Sequence, residues 1–221
     1  MSEEVVSVLR YLITASNFAV VPALVVCLFR WRSLSPAQKW LGGMVILIFL
    51  NQMTAFTLRH ACEVRNTPLF HVYVLLEGTG LILLFRRRFQ LEVRLRGLLL
   101  YAAVGYVLTG VANLLLVQSW FEIPALPRVV EAILLTGLAL FYFGYVFREK
   151  KVKYLARSFW FWLCTGVLLY FTSNMLLFIF TNYVPTTELD LLTGIWSIHA
   201  VLNFLLYLAY TIGLLCQDLE S

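Results

Sequence analysis

Charge is what this sequence has least of. Only 13% of its 221 residues are Asp, Glu, Lys or Arg, and 61% are hydrophobic. Soluble domains carry about 25% charged and about 45–50% apolar residues. Composition therefore excludes an ordinary water-soluble fold, and the mean hydropathy of +0.84 agrees. Long polar stretches are missing too. No interval between apolar runs exceeds about a dozen residues, so no soluble catalytic or binding domain is hidden between them. Alternating polarity over about 10 residues, the mark of a membrane barrel strand, is also lacking. What remains is all-α: helices whose backbone groups pair within their own segment, as lipid requires.

Other absences narrow the chemistry. The N-terminal segment MSEEVVSVLRYLITASN has no basic leader and no obvious small-residue cleavage site. It is expected to be a retained first span rather than a secretory signal. Cysteine is sparse: Cys27, Cys62, Cys164 and Cys216 form no CxxC pair, and only Cys62 falls in an outer loop. An outer disulfide and a cysteine-rich metal site are both unexpected. Histidine is limited to His60, His71 and His199, with no HxxxH. Three histidines can hold a catalytic zinc, but this spacing does not specify one. Residues 191–215 contain no Lys, which excludes the Schiff base of a retinal protein. GxSxG, HExxH and the P-loop are absent. No catalytic residue, metal site or cofactor is assigned.

What is present is a set of long apolar runs. A helix needs about 20 apolar residues to cross the hydrocarbon. Seven runs qualify, at 6–29, 39–59, 68–85, 97–118, 128–147, 158–180 and 191–215, forming one domain over 1–221. Ser35-Pro36, Thr67-Pro68, Pro124, Pro127 and Pro185 punctuate them. Arg30, Arg32, Lys39, Arg86, Arg87, Arg88, Arg94, Arg96, Arg148, Lys150, Lys151, Lys153 and Arg157 fall on one side. They are 13 of the 17 basic residues, which leaves Arg10, Arg59, Arg65 and Arg128 on the other. Short loops rich in Lys and Arg stay cytoplasmic. The expectation is an integral protein of the inner (plasma) membrane, N-terminus outside and C-terminus cytoplasmic. The net charge of +5 is thus a topology signal with some attraction to anionic membrane lipid, and nucleic acid is not a partner. Trp31, Trp40, Trp160 and Trp162 mark the inner interface and Trp120 the outer one.

A few polar residues interrupt the spans. HVYVLLEGTGLILLFRRRF (71–89) places Glu77 near its centre. Ionisable groups in lipid are costly and usually face the bundle interior or a wet cavity. Counting 1.5 Å per residue puts Asn51, Asn113, Asn174 and His199 in the outer half. Glu131 lies in the first turn of the fifth span, and Asn203 is near the middle. That common level suggests one polar pocket opening outward. Tyr73 and Glu77 are one turn apart, and Trp196, His199 and Asn203 share a face. The ligand-binding set expected is Glu77, His199, Asn203, Trp196, Asn51, Asn174, Asn113, Glu131 and Tyr73. Each has a plainer reading, since membrane Asn is commonly interhelical glue and Tyr and Trp stripes are commonly packing. Glu131 suits a structural role, and His71 is expected at the outer mouth as a solvated residue. An Asn followed by an ionisable group recurs in three successive hairpins (Asn51/Glu77, Asn113/Glu131, Asn174/His199), which suggests a parallel repeat.

The segments FHVYVLLEG (70–78) and IWSIHAVLNFLLYLAYTIGL (195–214) resemble bacterial seven-helix membrane modules of the sensor-histidine-kinase-associated type. The resemblance implies a sensor or accessory role. No kinase or HAMP segment is found within the 221 residues, so output is expected through a cytoplasmic signalling partner, with a small ligand or proton arriving from outside. Two alternatives stay open. One is a small-molecule or ion transporter or channel, for which Gly137 and Gly144 offer a close-packing pair one heptad apart. The other is a lipid-acting enzyme using Glu77 and His199 as acid and base.

Overall fold

The apolar runs fold into helices of the expected number and length. The structure is a computed structural model and describes residues 3–62, 66–89, 93–149, 155–181 and 189–216. The helices are α1 (Glu3–Ser16), α2 (Val21–Arg30), α3 (Pro36–His60), α4 (Thr67–Arg88), α5 (Val93–Leu116), α6 (Ala125–Glu149), α7 (Phe159–Thr181) and α8 (Leu189–Leu215). Short 3-10 turns occupy Trp31–Ser33 and Leu155–Arg157. Counting α1 and α2 as one crossing, seven helices are long and apolar enough to span a membrane. Arg65, Lys150, Lys151, Lys153 and Pro185 lie outside the described residues.

The first span is the one that departs from expectation. It was to run unbroken over 6–29, but it breaks at residues 17–20. Pro22 has no N–H, and its ring excludes the carbonyl of residue 18. The chain tightens ahead of it. Asn17, Phe18 and Ala19 donate their N–H groups to the carbonyls of Thr14, Ala15 and Ser16, three residues back, in the 3-10 pattern. Ser16 also accepts Nδ2 of Asn203 on α8 at 3.1 Å. A polar side chain thus meets the irregular backbone.

The break decides the packing. After it, α2 packs against both α3 and α8; before it, α1 packs against α8. The remaining contacts run α3–α4, α4–α5, α4–α6, α5–α6, α6–α7 and α7–α8, which closes the bundle. Small residues set the closest approaches. A Cβ at Gly78 of α4 would lie 2.6 Å from the Tyr106 ring of α5. The missing side chain lets the Tyr106 hydroxyl donate to the Val74 carbonyl at 2.8 Å. A Cβ at Gly166 of α7 would lie 2.8 Å from Cβ of Ala209 on α8. Gly137 and Gly144 behave otherwise than expected: both are exposed, and an added Cβ would meet nothing within 4 Å. That pair faces away from the bundle.

At the end where α8 stops, its last carbonyls find donors on neighbouring helices. Arg30 Nη1 donates to Leu214 and Leu215 at 3.0 and 2.6 Å. Gln38 Nε2 donates to Gly213 and Cys216 at 3.1 and 2.9 Å. The same Gln38 closes a capping box with Ser35 at the start of α3. The orphan carbonyls of a helix end are satisfied, and α8 is fastened there to α2 and α3.

Candidate functional site

At the opposite end, where α1, α4, α6 and α8 begin, the bundle opens into a cavity of about 790 Å³. Its wall comes from Arg10, Ile13, Thr14, Ser16 and Asn17 around α1, and from Asn51, Gln52, Ala55, Phe56 and Arg59 of α3. Asn66, Thr67, Phe70 and Tyr73 line it from the start of α4, and Tyr170 from α7. Leu189, Leu192, Thr193, Trp196, His199 and Asn203 complete it from α8, with Ile123 and Arg128 at the start of α6. The space lies between α1 and α3, which the break sets apart.

Behind the wall is a buried ionic group. Arg128 is 1% exposed, Glu77 1% and Glu131 0%. Arg128 Nη1 donates to Glu77 Oε2 at 2.6 Å and to Glu131 Oε2 at 2.8 Å. Tyr73, one turn before Glu77, donates its hydroxyl to Glu77 Oε1 at 2.7 Å. The guanidinium carbon lies 5.1 Å from the Phe70 and Tyr73 ring centroids and 5.3 Å from that of Phe178. These are cation–π distances, which matter most where water is excluded. A cation near a helix N-terminus opposes the macrodipole, so the two carboxylates are what make Arg128 tolerable there. Arg128 Nε and Glu131 Oε1 have no hydrogen-bond partner among the described residues.

The expected site residues divide into four groups. Asn51, Tyr73, Trp196, His199 and Asn203 line the cavity. Glu77 and Glu131 do not; they hold Arg128, which does. Asn174 lies behind His199 and fixes it: its Oδ1 accepts from His199 Nδ1 at 2.8 Å, while its Nδ2 donates to the Tyr170 carbonyl at 2.8 Å. That amide orientation makes Nδ1 the donor nitrogen of the ring. Trp196 packs edge-on against the same imidazole, ring centroids 5.4 Å apart. Asn113 ends α5 instead. Its carbonyl accepts the N–H groups of Val117 and Gln118, and its side chain donates to Gln118 Oε1 at 2.7 Å. Of the three suggested hairpin pairs, Asn174/His199 alone forms a hydrogen bond. The two glutamates meet each other's helix through Arg128.

Two further expectations need correction. His71 is buried at 5% exposure and bonds the Glu122 carbonyl through Nε2 at 2.9 Å, so it joins the α5–α6 connection to α4 rather than facing solvent. The arginines at this end are more than the minority in a topology count. Arg10, Arg59 and Arg128 all line the one cavity. Sequence did hold a signal for Arg128: it lies three residues before Glu131, a spacing that brings side chains together on a helix. Nothing in the sequence pointed to Arg10 or Arg59, which sit on separate helices.

No family model matches the chain, and neither does any curated protein or solved structure.

Proposed function

We propose that this chain is a receptor-like or sensor module of a bacterial inner (plasma) membrane, with its N-terminus outside and its C-terminus cytoplasmic. The observation that carries this reading is a ligand-sized cavity confined to one end. Its lining stops at Tyr73, Tyr170 and Asn203 along α4, α7 and α8. Toward the other end lie buried Tyr142, Phe159, Leu163 and Tyr210. Pockets of about 300–1,000 Å³ suit small molecules, and one closed below suits binding rather than conduction. The 13 basic residues of the opposite loops support a cytoplasmic placement of that end.

α8 supplies the relay. Trp196, His199 and Asn203 line the cavity, and the last turn of the same helix is gripped by Arg30 and Gln38. A ligand acts by binding one helix arrangement better than another, and a cytoplasmic signalling partner reads the change at the basic end. The likeness of 70–78 and 195–214 to sensor-kinase input regions agrees with this role. A second reading, a small transporter, is favoured by the break at residues 17–20, because discontinuous helices flank transporter sites.

A tethered occupant separates the two. Asn51→Cys, with Cys62→Ser to remove the exposed thiol, is labelled in the cavity with a bulky methanethiosulfonate reagent. A sensor responds with altered hydrogen exchange at the far ends of α4 and α8, and proteoliposomes show no proton leak above empty vesicles. Unchanged exchange at the far ends, or a leak that the label blocks, overturns the sensor reading.

A further inference from the structure

The arginines say what kind of molecule the cavity takes. We propose that it binds an organic monoanion, a carboxylate or phosphodiester head held by Arg128, Arg10 and Arg59, with an apolar body against Phe70 and Trp196. This rests on the ligand-binding reading above and specifies its chemistry.

Three observations converge. The first is the clustering of cations. Arg10, Arg59 and Arg128 come from three different helices, and no Asp or Glu is among the described residues that line the cavity. The second is the state of Arg128. Nη1 holds both carboxylates, neither hydrogen bond uses Nη2, and Nε is buried without a partner. The Nε/Nη2 edge is a flat two-donor fork that matches the two oxygens of a carboxylate or phosphate. A buried donor left without an acceptor is costly; Arg128 is 1% exposed, so a ligand oxygen supplies the acceptor once the cavity wall shifts to admit it. The third is the charge balance. Three guanidiniums stand against the two carboxylates of Glu77 and Glu131. Among the described residues that line the cavity or bond its arginines, one positive charge remains, which a monoanion neutralises.

The remaining wall fits the rest of such a molecule. A bare inorganic ion leaves most of about 790 Å³ empty. Phe70 and Trp196 contribute aromatic surface, while Asn51 and Asn203 offer amides that orient polar substituents. The head can belong to a soluble organic acid or to an anionic lipid entering from the bilayer. Both present the same oxygens to the same fork.

The test uses the full chain in phosphatidylcholine nanodiscs, titrated with octanoate, benzoate and 4-phenylbutyrate, each beside its uncharged alcohol. At least one acid is expected to bind about tenfold or more tightly than its alcohol, the scale of one charge-assisted contact. Arg10→Gln/Arg59→Gln alters two exposed residues, so folding should survive; it is expected to weaken the acid about tenfold and leave the alcohol unchanged. Arg87→Gln at the far end should change nothing. Arg128→Lys keeps the charge but loses the fork, and is expected to weaken the acid similarly. If it does not fold, the double variant carries the test. Binding of no soluble acid, with a melting shift from added phosphatidylglycerol that the double variant abolishes, supports the same chemistry with lipid as its source. Equal binding of acid and alcohol, or a double variant that keeps the wild-type Kd, overturns the anion inference while the pocket stands. Binding of neither acid, alcohol nor phosphatidylglycerol removes both the inference and the pocket reading.

Discussion

Replacing Arg128 by Met is the most severe single test of the buried ionic group. Met keeps much of the length and volume but removes the charge. Glu77 and Glu131 would then share a site at 1% and 0% exposure with no cation between them. Glu77 would keep the Tyr73 hydroxyl at 2.7 Å, and Glu131 would keep nothing shown for either oxygen. Breaking a buried ion pair by deleting one partner costs about 3–5 kcal/mol. For chains of this size about 1 kcal/mol moves Tm by roughly 2–4 °C, so Arg128→Met should melt roughly 6–20 °C below wild type. Glu77→Gln should cost only about 1–2 kcal/mol, because Glu131 still balances Arg128, the amide oxygen still accepts from Arg128, and the amide nitrogen can donate to the Tyr73 hydroxyl. The triple variant Arg128→Met/Glu77→Gln/Glu131→Gln carries no buried charge. It should regain at least about half of the loss, since buried ion pairs can be exchanged for neutral groups at little net cost. The assay is the fraction of monodisperse protein after heating in detergent, read by size-exclusion chromatography. An Arg128→Met protein melting within about 3 °C of wild type, or a triple variant no better than the single one, would refute the reasoning.

Three further outcomes are expected. Gly166→Val should cost about 1–3 kcal/mol by forcing α7 from α8, whereas Gly137→Ala, in open space, should be neutral or raise Tm through about 1 kcal/mol of helix propensity; paired melting curves decide it. Asn203→Leu removes one of the two donors to the Ser16 carbonyl and should cost about 0.5–1.5 kcal/mol, with faster hydrogen exchange at residues 17–20 as its specific mark; exchange unchanged there would deny Asn203 a part in holding the break. Single cysteines at Gln90 and Val152, in a background without Cys62, should resist an impermeant thiol reagent in intact cells and react after lysis, and labelling of both from outside would reverse the proposed orientation.

Much of this protein is settled along the chain. A charged fraction of 13% points to a membrane protein, and runs near 20 residues give seven helices long and apolar enough to cross a bilayer, because both depend only on local composition and helix rise. Helical spacing was enough for the Tyr73–Glu77 pair and for the Trp196–His199–Asn203 face, since residues three, four or seven apart share a side whatever the tertiary arrangement. Other features depended on which helices became neighbours. Glu77 and Arg128 are 51 positions apart, and no local rule joins them. Arg10 and Arg59 line one cavity with Arg128 because of how α1, α3 and α6 are placed in the bundle. His71 and Asn113 looked like pocket or interface residues by depth, but depth along a helix does not fix azimuth, and each turned to a nearby connection instead. The helices were written in the sequence; the cavity, and the arginines that give it a charge, were decided by how those helices pack.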